Sequence, residues 1–188
     1  MSGGCAKPAV MPRLLMRLRA LRRDRSGATI IEFALVAAPF IALILATIQT
    51  SLVFFAQQTL ETTAEKTARQ LVTGTAQENG VSQPAFKAAA CSNLPSFMKC
   101  SNLMIDVETA DSFEDVDTST PVLTYDKHGN VNNAWKFDTG SAGSIIVMRT
   151  MYQLPVIRGP LGFNLSNMGE GKRLLVATTV FKSEPYAS

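Results

Sequence analysis

Three observations predict an α+β protein: a long N-terminal helix, transmembrane in its first half, packed on a small antiparallel sheet. A basic head is followed at once by an uncharged apolar run. That run passes into a stripe of apolar and small residues at helical spacing. Beyond it lie short segments with the alternation and the Val, Ile and Thr content of strands.

A length of 188 residues suits one modest domain with something smaller attached, and excludes a large multi-domain enzyme. The net charge of +3 averages two unlike pieces. Residues 1–27 hold seven basic residues (Lys7, Arg13, Arg17, Arg19, Arg22, Arg23 and Arg25) against Asp24 alone, a net +6. The remaining 161 residues hold eleven basic and fourteen acidic ones, a net −3. A basic head directly before an apolar run is a membrane-topology signal, and it argues against a nucleic-acid-binding domain.

No charged residue occurs from Phe33 to Leu60. A membrane span needs about 20 mostly apolar residues, and this run exceeds that. A buried core helix would need polar residues on one side at every turn, and none occurs between Phe33 and Ala46. A cleaved secretory signal fits less well, because its apolar region is usually about 7–15 residues and is followed by a small-residue site. The arginines are expected to hold the N-terminus in the cytoplasm and send the chain after about residue 55 across the membrane. Pro39 removes one backbone hydrogen bond and, in a membrane span, gives a kink rather than an end. The expected division is a basic cytoplasmic leader at 1–27, a transmembrane and extended helix at 28–74, and an exported α+β domain at 75–188.

Glu32 is the one charge near the start of the run, and two readings stand. The first is a carboxylate solvated at the lipid headgroup level. The second gives it a positive partner: were the chain cut after Gly27, the new amino group of Ala28 would lie about 6 Å away along a helix, or belong to a neighbouring subunit.

Gly27-Ala28-Thr29-Ile30-Ile31-Glu32-Phe33 resembles the processing site of type IV prepilins: a basic leader, a glycine before the scissile bond, four mostly apolar residues, then glutamate and an aromatic. The longer stretch from Arg22-Arg23-Asp24-Arg25-Ser26-Gly27 through Glu32-Phe33 to Ala38-Pro39 resembles the TadE/TadG-like family of the tight-adherence (Flp) pilus system. The tail Leu174 to Tyr186 has the look of longer TadE-like proteins. The strong part of the likeness covers about residues 20–74. Ala28 departs from the common type IV pattern, in which an aromatic is frequent there. The resemblance implies a pilin-like minor component of the bacterial inner membrane, with its C-terminal domain in the periplasm. It would work with other pilin-like subunits and the pilus assembly machinery, and a prepilin peptidase would cut it after Gly27. No cofactor is implied.

The helix is expected to run from Thr29 to Thr73. Leu52, Ala56, Leu60, Ala64, Ala68 and Leu71 form one stripe, Glu65 and Arg69 are spaced for an i,i+4 pair, and Gly74 is a natural stop. The stripe fits either a partner helix or the chain's own domain, and such stripes are usually core. Residues 84–188 read as a small α+β domain. Pro84 to Ala90 suits a short helix, and Leu103, Ile105 and Val107 alternate with Met104, Asp106 and Glu108 as a half-buried strand. Val122 to Tyr125 and Ala134 to Phe137 suggest a hairpin around Gly129-Asn130; Ile145 to Leu154 and Arg173 to Lys182 are the strongest strands. An antiparallel sheet on one dominant helix is how pilin-like folds are built.

Cys91 and Cys100 enclose a short polar loop on the exported side, where an oxidising compartment favours their pairing. Two cysteines without a nearby histidine cannot supply a four-ligand metal site. Cys5 precedes the arginines and is expected to be cytoplasmic and reduced; no apolar segment precedes it, unlike a lipoprotein cysteine. The single histidine, His128, sits in turn-forming sequence, and no G-x-S-x-G segment accompanies it. The six acidic residues from Asp106 to Asp117 lack the order of a calcium loop and read as a solvated loop. Gly169-Glu170-Gly171-Lys172 lacks Walker spacing. Trp135, Phe137, Tyr152 and Phe163 are scattered as core residues would be, with no basic stripe beside them.

Three classes remain on this reading. A structural component in assembly of an adhesive tight-adherence pilus leads. The alternative is a single-pass, membrane-anchored periplasmic binding module unrelated to pilus assembly. A tethered enzyme has no convergent catalytic set to support it.

Overall fold

The structure, a computed structural model, describes residues 26–185. The arginines Arg13, Arg17, Arg19, Arg22, Arg23 and Arg25 lie outside the described residues, as do Cys5 and Tyr186. The chain divides into two compact units, Met1–Leu45 and Ala46–Ser188. The described part of the first is a stretch of helix. The second holds the rest of that helix, two shorter helices and a three-stranded sheet.

Helix α1 spans Ser26–Val72 and passes through Pro39 without ending. It begins three residues earlier than the sequence suggests and ends one residue earlier. Gly74 stops it by adopting φ 73°, in the left-handed region that a residue with a Cβ avoids. The backbone N–H and the hydroxyl of Thr73 both donate to the Arg69 carbonyl, which satisfies one of the helix's terminal acceptors.

The stripe on the second half of α1 packs on the chain's own domain. Ala56, Leu60, Ala64, Ala68 and Leu71 are buried in one cluster with residues of the sheet. Leu52 is not part of it and stays 61 % exposed. Thr63 and Thr67 are buried beside the stripe, with hydroxyls donating to the carbonyls four residues earlier at 2.9 and 2.8 Å. Among the described residues Glu65 and Arg69 form no ion pair; both are exposed, where such a pair contributes little.

After α2 (Thr75–Glu78), helix α3 (Gln83–Ser92) carries Pro84 in its first turn, where a missing N–H costs nothing. It buries Phe86 and Ala90. Strands β1 (Leu103–Ala110), β2 (Ile145–Pro155) and β3 (Lys172–Lys182) form an antiparallel meander in that order. The register sets Leu103 opposite Tyr152 and Tyr152 opposite Leu175, so all three side chains point to the face that meets α1.

Three sequence expectations need correction. Strand β1 is buried on both faces from Leu103 to Val107, because the segment between β1 and β2 folds back over its outer face. Asp106 is therefore not solvated, and only the later members of the acidic stretch are exposed. The chain does turn back at Gly129-Asn130, but 122–125 does not pair with 134–137 as strands. One bridge joins Tyr125 to Val131, while Phe137 lies parallel to Val107 along the free edge of β1. Backbone bonds from Asp126 to Asn130 and from Asn132 to Thr124 close a tight turn there, and side chains of Asp126 and Asn133 bond the rest of the local backbone, so the ladder stops after one rung. Of the four aromatics expected in the core only Tyr152 is fully buried; Phe86 fills that place, 5.2 Å from the Phe137 ring.

Candidate functional site

Apart from Ala42, which is buried, the first half of α1 exposes most of its apolar residues. Ile30, Ile31, Phe33, Leu35, Val36, Phe40, Ile41 and Leu43 are all exposed, on every side of a helix long and apolar enough to cross a membrane. A helix that is apolar on all sides and uncovered is stable where its surroundings are apolar too. The residues expected at a processing site stand at its beginning. Gly27, Ala28, Glu32 and Phe33 all lie within the helix, with Ala28, Glu32 and Phe33 exposed. Among the described residues nothing lies within 4 Å of where a Cβ at Gly27 would stand, and its φ is not left-handed. Packing among the described residues therefore places no demand for glycine there. No described cation pairs with Glu32.

Cys91, near the end of α3, is bonded to Cys100, which opens a 3-10 turn leading into β1; their Cα atoms are 5.3 Å apart. The bridge closes the loop 92–99, which is also held by the Lys99 N–H donating to the Tyr152 hydroxyl at 2.9 Å. Met98 in this loop is buried, whereas Phe97 is exposed and stacks on Phe55 with centroids 5.6 Å apart.

A polar cluster that the sequence does not announce lies on the outer face of the sheet. Asp106 and Arg149 are paired across β1 and β2, and Arg149 Nη1 donates to Asp106 Oδ2 at 2.8 Å. The other Asp106 oxygen accepts from the Lys136 backbone N–H, and Arg149 Nη2 donates to the Asp117 carbonyl at 2.7 Å. Glu108 lies 3.7 Å from Arg149 and 3.3 Å from Lys136. The two strands supply both charges, and the fold-back segment supplies further bonds to each, leaving Arg149 Nε buried without a partner. The arrangement pins the 117–137 segment to the sheet. Hydrogen bonds from Ser119 hold the Asp117 carboxyl below the usual carboxylate range. Asp126 is lowered in the same way by Asn130, which leaves the neighbouring His128 in an exposed turn, as expected.

On another part of the domain an apolar groove of about 350 Å³ runs between α1, the disulfide loop and the segment after β2. Leu52, Phe55, Phe97, Pro155 and Ile157 contribute to it. Neither wall is recognisable in the sequence, since they come from residues about 50 and 100 positions away from the helix. Among the described residues no group of three or more His, Cys, Asp or Glu side chains is placed to hold a metal ion.

No curated protein and no solved structure matches the chain. The family of TadE-like proteins does match, over residues 27–69. The match begins at Gly27, where the basic leader gives way to the apolar helix, and ends within the part of α1 docked on the sheet. Residues 27–69 thus carry the signature of the TadE-like family, the same family that the flanking arginines, Gly27 and Glu32 resemble in sequence.

Proposed function

We propose that the chain is a membrane-anchored, pilin-like component in the assembly of an adhesive tight-adherence pilus. The observation that carries this reading is the TadE-like match over residues 27–69, which starts at the proposed cleavage boundary. The arrangement of α1 supports it physically. Its first half presents apolar residues on every side, so it can leave lipid for a bundle of like helices without exposing apolar surface to water. Its second half packs on the domain.

In this reading the leader 1–27 stays cytoplasmic, held there by Arg13, Arg17, Arg19, Arg22, Arg23 and Arg25. The domain from residue 75 onward is periplasmic, where the Cys91–Cys100 bridge is chemically at home. A prepilin peptidase cuts between Gly27 and Ala28. The Ala28 amine then becomes a partner for Glu32 of the same or a neighbouring subunit. The chain itself performs no catalysis.

Co-expression with a prepilin peptidase tests the reading. The expected result is a mature chain that begins at Ala28, and no such product from a Gly27→Leu variant. An uncut chain whose behaviour is unaltered by deleting residues 1–27 would point instead to a plain anchor carrying a binding module.

A further inference from the structure

We infer that the groove end of the folded domain, formed by Phe55 with the loops around Phe97 and Ile157, is seated in the headgroup–acyl boundary of the bilayer. This surface combines the docked part of α1 with two loops of the domain and adds a contact with lipid beyond that of the helix alone. The inference rests on the membrane-anchored reading above, and its test is arranged so that the two fail separately.

The first argument is a count of residues. A bilayer takes about 20 residues of helix. Counted from Phe33, the first residue after the lone charge, that number is used up at Leu52. Any tilt of the helix brings more residues within the membrane. Gln49 therefore falls inside the count, and the loop after β2 reaches the level of Gln49. A Cβ on Gly159 would lie 3.1 Å from Gln49 Oε1, so the backbone of this loop is in close approach to the helix at a membrane-level residue. The uncharged run continues well past Leu52, to Leu60, and includes the exposed Phe54 and Phe55.

The second argument is what the loops present there. Ile157 is 79 % exposed and Leu161 is 83 % exposed. Leu161 has φ 56°, a left-handed conformation that strains a residue with a Cβ. The strained conformation points an apolar side chain outward. Phe97 is likewise exposed, stacked on Phe55. In water this combined patch is unfavourable, and at a lipid boundary it is not.

The third argument is charge. Each loop pairs its apolar residues with a cation: Lys99 follows Phe97, and Arg158 sits between Ile157 and Leu161. Both are exposed, and neither side chain has an ion-pair or hydrogen-bond partner among the described residues. No acidic residue occurs from 79 to 105 or from 139 to 169, whereas six lie between Asp106 and Asp117. The groove end is thus apolar and cationic, and the acidic residues gather elsewhere. That is the pattern of a surface facing anionic headgroups, with long cationic side chains reaching the phosphates from an apolar base.

The chain has one tryptophan, Trp135, which does not line the groove, so fluorescence can be moved at will. The full chain is reconstituted into phosphatidylethanolamine–phosphatidylglycerol vesicles with brominated acyl chains, which quench only tryptophans in or near the hydrocarbon. On a Trp135→Phe background, Phe97→Trp and Ile157→Trp are each expected to lose fluorescence, as is the anchor control Phe40→Trp. The native Trp135 should keep its fluorescence. Quenching at residue 40 with none at 97 or 157 overturns the inference and leaves the anchor standing, including where a second protein chain covers the groove. Equal quenching of Trp135 also overturns it, because the contact would not belong to this face. No quenching at residue 40 removes the anchored reading, and this inference with it.

Discussion

Arg149 and Asp106 stand directly opposite each other on neighbouring strands, bonded at 2.8 Å, with their side chains only 8 % and 7 % exposed. Taking both charges out of water costs several kcal/mol per ion, about as much as their mutual attraction returns. The pair therefore contributes little net stability. What it does is fix which outer-face residues meet, because a one-residue slip of β1 would bury two unpaired charges.

This gives a sharp mutational expectation. Arg149→Ala leaves the buried Asp106 without a counter-charge and is expected to cost about 3–5 kcal/mol, whereas Asp106→Ala costs less because Glu108 and Asp117 remain 3.7 and 3.6 Å from Arg149. The double variant Asp106→Leu/Arg149→Met is expected to recover most of that loss. Denaturant unfolding of the full chain in detergent, followed by near-ultraviolet circular dichroism, measures it. Single variants no less stable than the parent would show that the pair does not hold the 117–137 segment.

The disulfide should act as a clamp on one loop and leave the fold otherwise intact. Cys91 and Cys100 are nine residues apart in sequence, and the chain-entropy model gives about 2–3 kcal/mol for so short a loop. Cys91→Ser/Cys100→Ser is expected to lower the unfolding free energy by that amount. It should also loosen the stacking of Phe97 on Phe55, since the loop then rests on Met98 and the Lys99–Tyr152 bond. Free-thiol counting by mass spectrometry on the exported protein checks the pairing. Two free thiols at these positions would contradict the proposed periplasmic placement of the domain.

These features differ in how far they are visible in the chain. Helix α1 is legible because its signal is local: every buried residue of its stripe lies three or four positions from the next. The cores of β2 and β3 are legible for the same reason, through runs of Val, Ile and Thr. Asp106 and Arg149 are 43 residues apart, and nothing near either says that it is buried. Their burial depends on where the segment between β1 and β2 folds back, and that segment is polar and aperiodic. The turn chemistry at Gly129-Asn130 does produce a turn with one antiparallel bridge, but Asp126 and Asn133 bond the flanking backbone locally and the ladder goes no further. The groove was invisible because its walls meet only in three dimensions. The processing residues, by contrast, are read from a contiguous motif, and the structure adds only that packing among the described residues does not require Gly27.

Acid should weaken the domain through Asp138. The Thr109 hydroxyl donates to one of its oxygens at 2.7 Å, and the Gly140 N–H donates to the other at 3.0 Å. These two bonds, the first the stronger, lower its pKa from the ordinary value of 3.8. A carboxyl whose folded pKa lies below its unfolded one stabilises the fold above the unfolded value, and loses that contribution as pH falls through the folded one. Thermal stability is thus expected to be level from pH 7 to about 5 and to fall below about pH 4. Asp138→Asn should be less stable than the parent at pH 7 and closer to it at pH 3. Parallel melting curves of constant separation across that range would show that Asp138 contributes nothing to the acid sensitivity.

Glu32 offers the most direct test of the assembly role proposed here. It is exposed on a helix whose other residues nearby are apolar, with no described cation beside it. Removing a carboxylate from such a helix does not hinder entry into the bilayer, since a charge at that depth is unfavourable to begin with. A Glu32 carboxylate opposite the Ala28 amine of a neighbouring mature subunit would fix the stagger between helices, because such pairs give register more reliably than net stability. Glu32→Ala is therefore expected to leave the membrane-bound amount unchanged and to reduce pilus output. Glu32→Gln, which keeps the shape and loses the charge, should be as impaired as Glu32→Ala. Membrane fractionation and a count of surface pili, made on the same cells, separate the two effects. Normal pilus output from both variants would remove the charge pair from the mechanism, and loss of the protein from the membrane would assign Glu32 to insertion instead.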